Sequence, residues 1–212
     1  GQFSCPLRGL LVTPADFTRF PTGNLCNANP AVRPVSAAIK PLIRGKRIAG
    51  RACTARITPG QNAAIHCAVH KAEPGDILVV DGAASERFGP FGDLLAECCM
   101  ARGITGGILD CTIRDSADIA ALGFQVFSRG FHPEATAKTD PGETGVPIMI
   151  GGVIVNPGDI VVGDDDGLVV IPAGIAIEVL SEVAEVASRE ETIRARILAG
   201  ETTYEIFGLV RG

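Results

Sequence analysis

Three observations predict an α/β domain with strands packed between helices. Apolar residues recur at helical spacing in several stretches, the longest running from Ile175 to Leu198. Between them lie short β-branched runs bounded by Gly, Pro and Asp. The turn Pro-Gly-Asp also leads straight into an apolar run twice, at 74–79 and 157–162, one turn-into-strand solution used two times.

Pro14, Pro21, Pro30, Pro34 and Pro41 cut residues 1–45 into short pieces, so this segment is expected to wrap the body or a neighbouring subunit. A first strand is predicted from Arg47 through Thr58, stopped by Pro59-Gly60. Gln61–Glu73 is predicted to be a helix, with Ala64, Ile65, Ala68, Val69 and Ala72 on one face. Ile77–Val80 reads as a buried strand ending at Asp81-Gly82, which makes a strand-helix-strand unit. A second helix opens at Asp93 and closes at Gly103, followed by a strand at 107–111. A short helix over 116–122 ends at Gly123, and Gln125–Ser128 is another strand. Residues 131–145 have the composition of an exposed loop, expected as a mobile cover over Arg114, with Lys138 able to approach an anionic ligand from it but read as solvated by default. Asp164-Asp165-Asp166-Gly167 joins strands 160–162 and 168–171 as a hairpin turn. The expected organisation is one domain: a wrapping segment 1–45, an α/β core 46–174 carrying the site, and a helical arm 175–212.

Composition narrows the function. With 212 residues, 46% apolar and 20% charged, the chain can bury a sizeable core. A net charge of -5 argues against a nucleic-acid surface. No apolar run reaches membrane-spanning length, and no basic-then-apolar segment opens the chain. Seven cysteines, odd in number and without C-x-x-C spacing, suggest neither a disulfide framework nor a zinc ribbon, so a reducing, cytoplasmic location is expected. No Gly-rich nucleotide loop follows the first strand.

The chemistry concentrates in Glu86–Asp115. A helix from Asp93 to Arg102 is about 15 Å long. A compact crossover can bring the end of the next strand back beside the loop that began it. Asp93 and Arg114-Asp115 then line one crevice. The unpaired amides of Leu94, Leu95 and Ala96, at the positive end of the dipole, suit a carboxylate or phosphate. Asp115 and Asp93 can share a divalent hard cation, and Arg114 can stabilise charge growing on a substrate oxygen. The same residues also have purely structural readings: Asp93 and Asp115 as helix caps, and Arg114 as a partner for Asp118. His66 and His70 face one way on their helix but lack a third ligand, and are read as surface or interface residues. The adjacent Cys98-Cys99 pair is read as buried filler.

The spacing Asp93, twenty residues, Arg114-Asp115 resembles the D-x20-R-D signature of the class II pyruvate aldolases. These cleave 4-hydroxy-4-methyl-2-oxoglutarate and 4-carboxy-4-hydroxy-2-oxoadipate, and share a fold with the regulator of ribonuclease activity A proteins. The likeness runs from about Arg47 to Pro172, through PGDILVVDG (74–82), FGDLLA (91–96), VFSRG (126–130) and PIMIGGVIVNPGDIVVGDDDGLVVIP (147–172). It implies a swivelling β/β/α sandwich with peripheral helices and a long C-terminal helix, assembled as a homotrimer or a dimer of trimers. It also implies Mg²⁺ or Mn²⁺ on Asp115, with Asp93 direct or through water. A small 2-oxo acid substrate would contact Gly92, Asp93, Leu94, Leu95 and Arg114, and oxaloacetate decarboxylation would be a side activity. A glutamate of the C-terminal helix reaches the neighbouring subunit's metal site in that family. Glu190, which falls on the apolar stripe, matches it best, with Glu191 as the competing register and pairing with Arg194 as the structural alternative. Segment 22–28 departs from the family's Ser/Thr-x-x-x-Asp-Ala-Leu pattern. The rival class is a non-catalytic trimeric ring that binds a ribonuclease or another protein.

Overall fold

The computed structural model describes residues 12–209. The first eleven residues of the expected wrapping segment lie outside that range. The elements in order are α1 (Thr22–Ala28), β1 (Arg33–Pro34), β2 (Lys40–Pro41), β3 (Ile48–Arg56), α2 (Ala63–Lys71), β4 (Ile77–Ser85), α3 (Asp93–Ala101), β5 (Gly106–Ile113) and α4 (Ser116–Leu122). Then come β6 (Val126–Ser128), β7 (Gly130–Phe131), β8 (Glu143–Thr144), β9 (Ile148–Ile150), β10 (Val153–Val155), β11 (Ile160–Asp164), β12 (Gly167–Ile171), α5 (Ala176–Leu198) and α6 (Thr203–Ile206).

The main sheet runs β1-β12-β11-β3-β4-β5-β6-β2, with β7 on β5 and β8 on β3. Its two end strands are joined by residues 35–39 alone. Eight flat strands at about 4.8 Å spacing would span some 34 Å, whereas the six steps from Pro34 to Lys40 reach at most about 21 Å. The sheet must therefore curl until its ends approach, and the wrapping segment supplies both of them.

Strand alternation sends side chains to two surfaces. Ile48, Ile77, Val79, Ile108, Phe127, Val161 and Val170 face inward, where the β9–β10 hairpin adds Ile148, Ile150, Val153 and Val155. Outside, α2, α3 and α4 cover Leu78, Val80, Leu109 and Ile113. On the remaining face α1 and α5 cover Ile160, Val162, Val169 and Ile171. The layers are thus hairpin, curled sheet and helices. In α5, Val179, Val183 and Val186 of the predicted stripe are buried, but the stripe runs off the body and leaves Ile197 and Leu198 exposed. No helix among the described residues is long and apolar enough to cross a membrane.

The strands β3, β4, β5 and β6 are parallel neighbours, connected by α2, α3 and α4 in turn. Parallel neighbours need crossovers of this length. The arrangement brings the carboxyl end of β5 beside the amino end of α3.

Candidate active site

Ligands in parallel α/β sheets are held beyond the carboxyl ends of the strands. A cavity of about 210 Å³ lies there, between the start of α3, Arg114 after β5, the first turn of α2 and the loop around Thr136. The Arg114 main chain is fixed across the crossover, its N–H donating to Phe91 O at 3.0 Å. Its Nε donates to Asp115 Oδ2 at 3.2 Å, so the guanidinium pairs with its neighbour and not with Asp118.

Two glycines permit this closeness. A Cβ on Gly89 would sit 2.5 Å from His132 O and 2.7 Å from Arg114 Cβ. A Cβ on Gly92 would overlap Asp115 Oδ2 and lie 3.2 Å from Arg114 Nε. Asp115 occupies the left-handed region, φ 54° and ψ 37°, at the N-cap of α4. Its side chain caps nothing and turns to Arg114 instead. Aspartate is one of the few non-glycine residue types that adopt that conformation readily.

The start of α3 corrects two expectations. Its N-cap is Gly92, and Asp93 is the first helical residue. Asp93 Oδ1 accepts the Leu94 N–H at 2.8 Å, and Gly92 O accepts the Ala96 N–H at 3.1 Å. Of the three amides expected to be available, only that of Leu95 is left. Asp93 also borders a neighbouring groove with Glu97 and Asp118, while Asp115 borders an adjoining depression with Phe131 and His132. Arg114 is the wall shared by that depression and the cavity.

Asn62, His66, Thr136 and Lys138 complete the cavity; sequence reasoning weighed His66 only as half of an incomplete metal pair and Lys138 as a solvated residue able to approach an anionic ligand, and gave Asn62 and Thr136 no role. The Asn62 N–H donates to Ala137 O at 3.0 Å, and the Ala137 N–H to Gly60 O at 2.9 Å. Gln61 Oε1 accepts from Thr139 N at 3.0 Å. These hydrogen bonds tie the loop expected as a mobile cover to the start of α2, where it forms one wall of the cavity. Asn62 Nδ2 donates to Pro90 O at 3.0 Å, which fixes the amide, and its buried Oδ1 has no donor among the described residues. Partial burial at the rim, then the charge of Lys138, lowers the pKa of His66, so its imidazole is neutral at pH 7. His70, one turn on, is exposed and does not line the cavity.

Glu190 is not brought to this cavity within one chain. It accepts from Asn24 Nδ2 at 3.1 Å and lies 3.8 Å from Arg194 Nη2, on the side where α5 packs against α1. Glu191 is exposed.

Among the described residues no group of three or more His, Cys, Asp or Glu side chains is placed to hold a metal. The two carboxylates beside Arg114 still suit a hard cation, because Mg²⁺ typically takes one or two carboxylates and keeps water elsewhere. Among the described residues no thiolate lines the cavity or the Asp115 depression to favour zinc, and His66 and His132 each border a different one of the two.

A protein of Halalkalibacterium halodurans named as a proposed 4-hydroxy-4-methyl-2-oxoglutarate aldolase is 35% identical over 187 residues, covering 86% of this chain and 89% of its own. The structure of Streptomyces coelicolor RraAS2, described as an unusual member of the RNase ES inhibitor RraA family, matches with a TM-score of 0.79 at 28% identity, covering 87% of this chain and 97% of its own. A Geobacillus kaustophilus structure titled as an S-adenosylmethionine:2-dimethylmenaquinone methyltransferase matches with a TM-score of 0.67 at 32% identity, over 72% of this chain and 94% of its own. The family model described as RraA-like, Aldolase/RraA, matches residues 22–170, which run from α1 through the Asp93 and Arg114-Asp115 site to β12. On that match, and on a relative sharing both sequence and length, this chain belongs to the RraA-like Aldolase/RraA family.

Proposed function

We propose that the chain is a divalent-metal-dependent carbon–carbon lyase that cleaves a 4-hydroxy-2-oxo acid, such as 4-hydroxy-4-methyl-2-oxoglutarate, to pyruvate through an enolate. The observation that carries this reading is Arg114, whose main-chain N–H is held by Phe91 O and whose guanidinium pairs with Asp115 at the amino end of α3. In a chain of net charge -5, it makes a positive end for a small acid. A volume of about 210 Å³, below the roughly 300–1,000 Å³ of sites for drug-sized ligands, suits such a substrate.

The Leu95 amide and the α3 dipole take the substrate carboxylate. Asp115 would hold Mg²⁺ or Mn²⁺, with Asp93 direct or through water, and the ion supplies Lewis acidity toward the 2-oxo group. Asp93, or Glu190 from a neighbouring subunit, orients the water that removes the 4-hydroxyl proton. The C3–C4 bond then breaks, its electron pair forms the enolate, and Arg114 stabilises the oxygen that gains charge. Protonation at C3 completes pyruvate. Oxaloacetate loses carbon dioxide to the same enolate, so its decarboxylation is the side activity.

The inter-subunit role of Glu190 and a homotrimer, or a dimer of trimers, belong to the same proposal. The exposed end of α5, with Leu198 at 88% exposure, supports an arm that lies on another copy.

The test is pyruvate release from 4-hydroxy-4-methyl-2-oxoglutarate and from oxaloacetate, with and without Mg²⁺ or Mn²⁺, in wild type and Arg114→Ala. Metal-dependent release abolished by the substitution supports the lyase. The similarity to RraAS2 favours a second reading, a non-catalytic protein regulator, and neither substrate consumed under any metal supports that instead.

A further inference from the structure

The Leu95 amide and the Arg114 guanidinium stand on different elements, one in the first turn of α3 and the other just after β5. Their separation depends on residues 88–91, which lead into α3, and the sheet ladder does not reach that far. β4 follows β5 regularly through Val80 and then shifts register before Ser85, with Ala83 and Ala84 both left-handed at φ 54°. Ser85 opposite Cys111 is the last residue pair between the two strands. Beyond it, Thr112 Oγ1 donates to Phe88 O at 2.7 Å, and the Arg114 N–H donates to Phe91 O at 3.0 Å. Two bonds from neighbouring positions of one strand fix both the distance and the angle of the segment. Gly89 lies between them, where a Cβ would sit 2.7 Å from Arg114 Cβ, so the Arg114 stem rests on the same segment.

Thr112 is buried, at 4% exposure. Valine has nearly the same shape and suits a strand equally well, so what the hydroxyl adds at this position is the bond to Phe88 O. We propose that Thr112 is a positioning residue, whose hydroxyl holds the segment entering α3 against β5 so that the Leu95 amide and the Arg114 guanidinium face one small anion together. Thr112 touches no substrate and acts through those two groups. The inference rests on the lyase reading for the reaction it serves, but the geometry it requires can be read by binding alone.

The test compares Thr112→Val, which loses the donor, with Thr112→Ser, which keeps it. Thr112→Ala is a second variant without the hydroxyl, for use if the valine protein does not fold. Calorimetric titration with oxalate in the presence of Mg²⁺ reads the site without turnover, because oxalate is a planar dianion shaped like the pyruvate enolate. Affinity should fall about tenfold or more in the Val and Ala proteins and stay within about threefold of wild type in the Ser protein. In pyruvate release, kcat should fall by a similar factor in the Val protein while KM changes less than about threefold, since Arg114 acts on charge that grows in the transition state. A lower melting temperature in Thr112→Val with oxalate affinity and kcat unchanged would make the bond merely structural and overturn the inference, even if pyruvate is released. An equal loss in the Val and Ser proteins overturns it as well. The expected oxalate pattern without pyruvate release by wild type supports the positioning role while the lyase reading fails. Wild type that neither binds oxalate nor releases pyruvate overturns the two together.

Discussion

Gly92 and Asp115 approach so closely that no side chain fits between them: a Cβ on Gly92 would overlap Asp115 Oδ2. Gly92 has an ordinary extended backbone, φ -134° and ψ -171°, so Ala is conformationally acceptable and its effect is purely steric. Gly92→Ala should displace the Asp115 carboxylate and the Arg114 guanidinium with little change in melting temperature. Misplacement on the order of 1 Å can cost about 10²-fold in rate. Metal-dependent pyruvate release reads the loss, and an unimpaired Gly92→Ala protein would remove Asp115 from the proposed site.

Asp115 itself allows charge and backbone strain to be separated. Asn tolerates the left-handed region better than most residues, whereas a left-handed non-glycine residue costs about 1–2 kcal/mol. Asp115→Asn and Asp115→Ala should both abolish Mn²⁺ binding measured by titration. In urea denaturation the Asn protein should be the more stable by about 1 kcal/mol. Undiminished Mn²⁺ affinity in both proteins would count against the carboxylate as a ligand.

A buried ion pair under the sheet concerns stability alone. Arg129 Nε donates to Asp110 Oδ1 at 2.5 Å, and Gly151 N donates to Asp110 Oδ2 at 2.8 Å. Both side chains are largely covered, at 17% and 7% exposure. Removing the guanidinium by Arg129→Met leaves a buried carboxylate with one partner, a change that costs roughly 3–5 kcal/mol. Denaturation midpoints of Arg129→Met and of the double variant Arg129→Met/Asp110→Asn check this. The double variant should recover part of the loss.

Alkaline pH acts on the buried thiols. Burial is the largest cause raising Cys99 and Cys111 to about 12 and Cys53 to about 11, from 9.0. The unfolded chain releases these protons first, so their contribution to stability is complete below pH 9 and is lost as pH rises toward 12. Urea midpoints measured from pH 8 to 10.5 should therefore fall, and should fall less steeply in Cys99→Ala and Cys111→Ala. A slope identical to wild type in both variants would refute the assignment. The same burial keeps these thiols unreactive in the native protein, which agrees with reading Cys99 as core filler. Cys98, read as buried filler together with it, is exposed, which corrects that half of the reading.

The sequence by itself determined the main helices and one hairpin of the sheet, and it placed Asp93, Arg114 and Asp115 in one crossover unit. Helix periods, Pro-Gly-Asp turns and apolar runs located α2, α3, α4, α5 and the 160–171 hairpin to within a few residues, because those signals depend on near neighbours. The spacing of Asp93 and Arg114-Asp115 pointed to one crevice for the same reason, since a single crossover unit contains all three. Only the tertiary structure decided which amide remains available, because the Asp93 rotamer takes the Leu94 N–H. It also decided that the sheet curls, since that follows from pairing strands far apart in the chain. Nothing local in the sequence places His66, Thr136 and Lys138 at one cavity. They become cavity residues because Ala137 and Thr139 hydrogen-bond to Gly60, Gln61 and Asn62, some 75 positions away. Glu190 shows the same boundary, because its position on the helical stripe was readable while its partners Asn24 and Arg194 depend on how α5 packs against α1. Periodicity records which face of an element is buried, and long-range hydrogen bonds and packing choose what that face meets.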